Sequence, residues 1–208
     1  MTVNKIDLLA RYMPPPAAPV IAKWIDYFHC EFKISRSRAS KLGDYRHPFN
    51  GAGHKISVNN NLNPYAFLVT TVHEFAHLLT WNEHKNRVKP HGTEWKKNFK
   101  RMMAPFYALD IFPEDIRRAI TAYLENPAAS SCGDLHLARS LKRYDIIDPS
   151  ILHLEKLPEH TIFTLKDGRR FRKGPRVRKR FRCVCLDNQR VYLFNPLAEV
   201  IEEPSEIK

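Results

Sequence analysis

The segment Val72-His73-Glu74-Phe75-Ala76-His77 constrains this chain more than any other. Asn63 followed by Pro64 reads as a helix start, because Asn accepts from orphan first-turn amides and Pro loses nothing at the first helical position. The helix is expected to run through about Trp81. His73 and His77 then project from one face, about one turn apart. Leu68, Val69, Val72, Phe75, Ala76, Leu78 and Leu79 make the same helix apolar almost all round, so it belongs inside a core. Buried imidazoles need partners, and a shared metal ion supplies one.

Two histidines four positions apart, with a glutamate after the first, form the arrangement of a hydrolytic zinc site. Glu74 is too close in sequence to His73 to be a third ligand on that face, but it is well placed to accept a proton from metal-bound water. A catalytic zinc usually takes three protein ligands and leaves a fourth position open. The metzincin spacing would require Gly at 80 and His at 83, where this chain has Thr80 and Glu83. His84 sits at the expected helix end. His91 is the better third ligand, since it precedes Gly92 and opens the next expected helix.

Val20 to Glu31 places Ile21, Trp24, Ile25 and Phe28 at helical spacing. The stretches 31–37 and 54–59 alternate apolar and polar residues around Gly43, Gly51 and Gly53, and predict a small antiparallel sheet. Downstream, a helix from His91 or Gly92 gathers Trp95, Phe99, Met102 and Met103, and another over 113–124 gathers Ile116, Ile120 and Leu124. Pro127, Ser130, Ser131 and Gly133 suggest a boundary, giving a first domain over 1–126 and a second over 127–208. The second holds a short helix near 134–144 and an antiparallel meander of TIFTL, RRFRK, RFRCVCL and RVYLF, separated by Asp167-Gly168, Gly174-Pro175 and Asn188-Gln189. The fold class is α+β.

His73 to His77, the step to His91, and the His-Gly-x-x-Trp run with Lys96 and Phe99 closely resemble the SprT-like metalloprotease domain, which includes the Spartan proteases. Gly43-Asp44-Tyr45 and the HKISVNNNL strand extend the resemblance over roughly 20–125. It implies a helical zincin-type core, His73, His77 and His91 as ligands of one zinc ion per chain, Glu74 as catalytic base, and protein substrates near or attached to DNA. Tyr45, His54 and Tyr65 are candidates for stabilising the oxyanion. Many relatives end in a zinc ribbon with two Cys-x-x-Cys pairs. This chain has only Cys183-Val184-Cys185, with Cys132 far upstream, and the pair at 183 and 185 is expected to be buried thiols on one strand face.

Residues 166–190 carry eleven Lys and Arg against Asp167 and Asp187, so most of the net charge of +12 lies there. Such an excess suggests a polyanionic partner. Arg170, Arg172, Lys173, Arg176, Arg178, Lys179, Arg180 and Arg182, interleaved with Phe171, Phe181 and Tyr192, are candidate nucleic-acid contacts, the plainer reading being a solvated sheet face. No apolar run is long enough for a membrane helix, and the first residues lack the apolar middle of a secretory signal. A cytoplasmic protein, nucleoid- or nucleus-associated, with reduced thiols is expected. Besides zinc-dependent peptide hydrolysis, a non-catalytic nucleic-acid-binding or transcription-associated module braced by zinc fits the same sequence.

Overall fold

A computed structural model describes residues 4–38, 41–125, 134–146 and 148–203. The chain divides into two compact units, Met1–Asp145 and Ile146–Lys208.

The first unit contains α1 (Lys5–Ala10), α2 (Ala18–Tyr27), β1 (Glu31–Ser35), β2 (Gly43–Arg46), β3 (Lys55–Asn59), α3 (Pro64–His84), α4 (Thr93–Ala108), α5 (Glu114–Glu125) and α6 (Leu135–Lys142). Asn63 caps α3 as its sequence suggests, its Oδ1 accepting from Tyr65 N–H at 3.1 Å and Ala66 N–H at 3.0 Å. Its Nδ2 also donates to the Leu141 carbonyl at 2.9 Å and to Asp145 Oδ1 at 2.6 Å. One side chain therefore starts α3 and ties down the end of α6. With Leu137 and Leu141 in the main core, α6 joins the first unit, whereas the break over 126–133 had suggested the second.

α3 runs through that core, with Phe67, Leu68, Val72, Phe75, Ala76 and Leu78 fully buried. Lys85, at φ 54°, ends the helix. Gly92 precedes α4, and Trp95, Phe99, Met102, Met103 and Phe106 turn inward from it. The two helices are clasped by Asn98, whose Nδ2 donates to Thr80 Oγ1 at 3.0 Å and Glu83 Oε2 at 2.7 Å.

The small sheet is mixed, in the order β1-β3-β2. β1 and β3, the two strands expected from alternation, run parallel, and the antiparallel partner is β2. The reason is local: Asn50 and Gly51 take left-handed φ values of 47° and 79°, closing a tight turn between β2 and β3 and leaving only the far edge of β3 for β1.

The second unit is a six-stranded antiparallel sheet of β4 (Ile151–His153), β5 (Ile162–Thr164), β6 (Arg170–Val177), β7 (Arg180–Cys185), β8 (Val191–Phe194) and β9 (Glu199–Glu202). Its order is β4-β9-β5-β6-β7-β8, so a four-strand meander is extended by β9 and β4. Gly174 and Pro175, expected as a turn, lie within β6 at a register shift between Lys173 and Arg176. Gly174 is required there, because a Cβ would come 2.5 Å from the Arg182 carbonyl oxygen. The turn falls instead at Arg178-Lys179. Leu154, Leu157, Phe163, Phe171, Cys183, Cys185 and Val200 form the core.

Lys173 lies in the same core, 3% exposed, directly opposite Cys183. Its ammonium donates to the Leu157 carbonyl and sits 4.1 Å from the Phe181 ring centroid, with no carboxylate bonded to it among the described residues. Burial lowers its pKa. A buried charge with so few partners is destabilising, so Lys173→Met is expected to stabilise this unit by about 1 kcal/mol or more, or ~4–8 °C in midpoint. The gain should shrink as pH rises toward the lysine pKa, where the wild-type amine loses its charge. Hydrogen exchange of the β6 and β7 amides in the full chain reads the effect, and faster exchange in the variant would contradict it.

Candidate metal centre

α3 projects His73 and His77 toward the turn before α4, where His91 takes a left-handed φ of 58°. That conformation is uncommon outside glycine and is kept where surrounding structure enforces it. The His73 and His77 Nε2 atoms lie 3.2 Å apart, His77 and His91 2.9 Å, and His91 and His73 3.2 Å. The Trp95 ring packs against all three imidazoles, with centroids 4.7, 5.3 and 4.7 Å away.

Three neutral imidazole nitrogens facing one another cannot all be paired by hydrogen bonds, since each ring carries a single N–H. A shared cation resolves the conflict. Three nitrogens ~2.0–2.1 Å from one tetrahedral ion lie roughly 3.3–3.4 Å apart, within a few tenths of an ångström of the observed triangle. The donors fit zinc, and His73, His77 and His91 could hold a metal ion. Burial, then the charges of His77 and His91, lower the His73 pKa to about 2, and burial, then His91, lowers that of His77 to about 3. Burial also lowers His91. All three are thus held in the neutral, metal-binding form.

Glu74 leaves α3 on a neighbouring face and meets β2. It is 7% exposed, and the Tyr45 backbone amide lies near enough to its carboxylate to favour the charged form slightly. Burial, reinforced by Asp44, raises its pKa to about 8. Gly43 is the contact that permits this placement: a Cβ there would fall 2.5 Å from Glu74 Oε1, 2.9 Å from its Cγ and 2.8 Å from Thr70 Cγ2. The roles of Trp95 and of the β2 backbone escaped residue-by-residue reading. Only the spacing His91-Gly92-x-x-Trp95 carries a signal for the first, and only the family-like Gly43-Asp44-Tyr45 run carries one for the second.

The other candidates separate cleanly. Tyr45 stacks parallel to His77 with ring centroids 6.4 Å apart, and its hydroxyl lies 3.0 Å from His54 Nδ1. Tyr65 packs instead on Phe112 and Tyr144 near the start of α3. His84 stands outside the triangle, 3.8 Å from Glu83.

In the second unit, Arg172, Arg176, Arg178, Lys179, Arg180 and Arg182 are exposed and make no ion pair among the described residues. Arg170 is held by Glu203. Lys173 leaves the candidate nucleic-acid set, since strand alternation turns it inward with Phe171. Phe171 is fully buried, and Phe181 and Tyr192 pack on the core, so the outer face is basic and aliphatic rather than aromatic. Cys183 and Cys185 are buried free thiols, as expected, and Cys132 lies outside the described residues.

The pKa directions fix how a metal-free chain responds to pH. Between about 6.5 and 3, the unfolded histidines bind protons that the folded site refuses, so stability falls as pH falls. Between about 4.5 and 8, folded Glu74 keeps a proton that the unfolded chain releases, so stability falls as pH rises. The thermal midpoint of chelated protein should therefore peak near pH 6–7, and Glu74→Gln should flatten the alkaline limb. An unchanged alkaline limb would exclude a buried Glu74 carboxyl as its cause.

A half-buried histidine triangle beside a buried ionisable carboxyl group, built on one helix and the turn that follows, defines a candidate mononuclear metal centre of the His-Glu-x-x-His type. Residues 24–116 match the SprT-like family, which supports a SprT-like domain over that stretch of the chain. No curated protein and no solved structure matches the chain. Among the described residues, no helix is long and apolar enough to cross a membrane.

Proposed function

We propose that this chain is a zinc-dependent metallopeptidase, with His73, His77 and His91 holding the metal and Glu74 acting as general base. The observation that carries the reading is the pairing of a three-nitrogen site with a carboxyl group held by a separate strand. A purely structural metal site needs no such base. When bound, zinc supplies a Lewis acid that polarises a carbonyl and brings a coordinated water toward a pKa of ~7. Glu74 takes a proton from the attacking water and passes it to the leaving amine. Burial raises its pKa, and a cation on the three histidines would draw it back down, toward the range in which a base that must also return a proton works. Close packing of the Glu74 carboxylate against Gly43 of β2 fixes the direction from which it accepts. Tyr45 and His54, bonded to each other beside His77, are positioned to support the ligand ring and the oxyanion.

The unpaired cations of the second unit support a role in holding the enzyme near nucleic acid, with protein substrates close to or attached to it. With its aromatic side chains turned inward, that face suits phosphate contacts rather than base stacking. Four to six such contacts would weaken DNA binding about 10²- to 10³-fold between 50 and 200 mM salt. The non-catalytic reading keeps the same DNA affinity but lacks hydrolysis.

Elemental analysis and peptidase assays on the same samples, with and without DNA, test both readings. One zinc per chain is expected in wild type and Glu74→Gln and loss of zinc in His91→Ala, with activity reduced at least ~10²-fold in both variants. Zinc-loaded wild type that cleaves neither unfolded nor DNA-bound proteins would leave only the binding role. DNA affinity independent of salt would remove the nucleic-acid role.

A further inference from the structure

A cavity of about 990 Å³ in the first unit lies away from the metal centre, between α1, the end of α2 and β1. Its apolar lining includes Leu8, Leu9, Tyr12, Ile25, Phe32 and Ile34. The opposite wall is the free edge of the small sheet. β1 pairs only with β3, and the Glu31 N–H donates to the His54 carbonyl while the Asn60 N–H donates to that of Ser35. The odd-numbered residues of β1 thus face β3. The amides and carbonyls of Phe32 and Ile34 face the cavity, and none has a hydrogen-bond partner among the described residues.

Unpaired main-chain donors and acceptors at every second residue, about 6.6 Å apart, are complementary to another extended main chain and to little else. Apolar space beside them accommodates alternate side chains of such a strand. The rim sets its charge. Lys5 pairs with Asp26, while Lys33 has no ion pair among the described residues, and His29 lies beside it. The balance favours an acidic residue on the incoming segment.

We propose that this groove is a peptide-docking site, in which an extended segment of a partner protein, apolar at alternate positions and carrying acidic residues between them, adds to β1 as a fourth strand. β2, which holds Glu74, lies at the opposite edge of the same sheet. The site is independent of the catalytic reading, and binding should be unchanged in Glu74→Gln.

The probe is a fluorescein-labelled heptapeptide, Asp-Val-Thr-Val-Asp-Val-Thr, titrated against the full chain by anisotropy. Saturable binding below about 1 mM is expected, with the Phe32 and Ile34 amides protected from hydrogen exchange in the complex. Leu8→Glu and Lys33→Glu, both at exposed positions, should each weaken binding at least tenfold. Ile34→Pro should abolish it without loss of a β1–β3 bond, because the Ile34 N–H points away from β3. Equal affinity in folded Leu8→Glu and Lys33→Glu, or binding without protection of the two amides, would overturn the proposal. So would no binding at 1 mM. Myristate competing for the cavity while the amides stay unprotected would replace the peptide with an acyl-chain ligand.

Discussion

Gly43→Ala is expected to lower peptide hydrolysis about 10²- to 10³-fold while leaving one zinc per chain. The added methyl would fall within 2.5 Å of the Glu74 carboxylate and 2.8 Å of Thr70. Neither side can give way easily. Gly43 is paired with Val58 in β3, and Glu74 and Thr70 belong to a helix buried almost all round. The soft element is the Glu74 side chain, which would rotate away from β2 and lose its aim. The histidine triangle lies on other positions of α3 and on the turn before α4, so its metal should stay. The loss should appear in kcat rather than KM, with the acidic limb of the pH profile, where the base is protonated, displaced. A drop in activity that tracks loss of zinc, or of thermal midpoint alone, would mean that Gly43 matters only for folding.

Removing the metal should cost the first unit more than any single substitution outside its core. At free zinc about 1,000 times its dissociation constant, the bound ion contributes ~4 kcal/mol, or roughly 8–16 °C of thermal midpoint in a unit of this size. It also joins α3 to the turn before α4, so the loss should be felt along both helices. Trp95 makes the change visible, since its ring lies on all three imidazoles and intrinsic fluorescence should shift on chelation and recover with zinc. A midpoint that moves by only a degree or two under chelator would mean that the triangle holds no metal of consequence.

What could be read from sequence was what local chemistry dictates. α3 was legible because a capping Asn, a first-position Pro and an unbroken apolar pattern agree with one another, and because two histidines on that helix allow few other uses. Strand alternation likewise placed Cys183 and Cys185 inside. Lys173 was misassigned by giving its charge more weight than its parity with Phe171. β2 was missed because four residues, Gly43 to Arg46, show no apolar alternation, and their role appears only once Glu74 is packed against them. The boundary was placed too early because the bonds from Asn63 to Leu141 and Asp145 span most of the first unit, beyond any local signal.

The strand order of the second unit bears on how the chain is made. β9 follows β8 in sequence yet lies between β4 and β5, bonded on both sides. Until residues near 202 have left the ribosome, β4 has no neighbour and the β5 flank of the meander stays open. During synthesis the first unit can close around α3 early, while the second waits with an exposed strand beside a strongly basic hairpin. The cations on that hairpin repel like chains, so the same charge guards the unfinished protein against pairing with its copies.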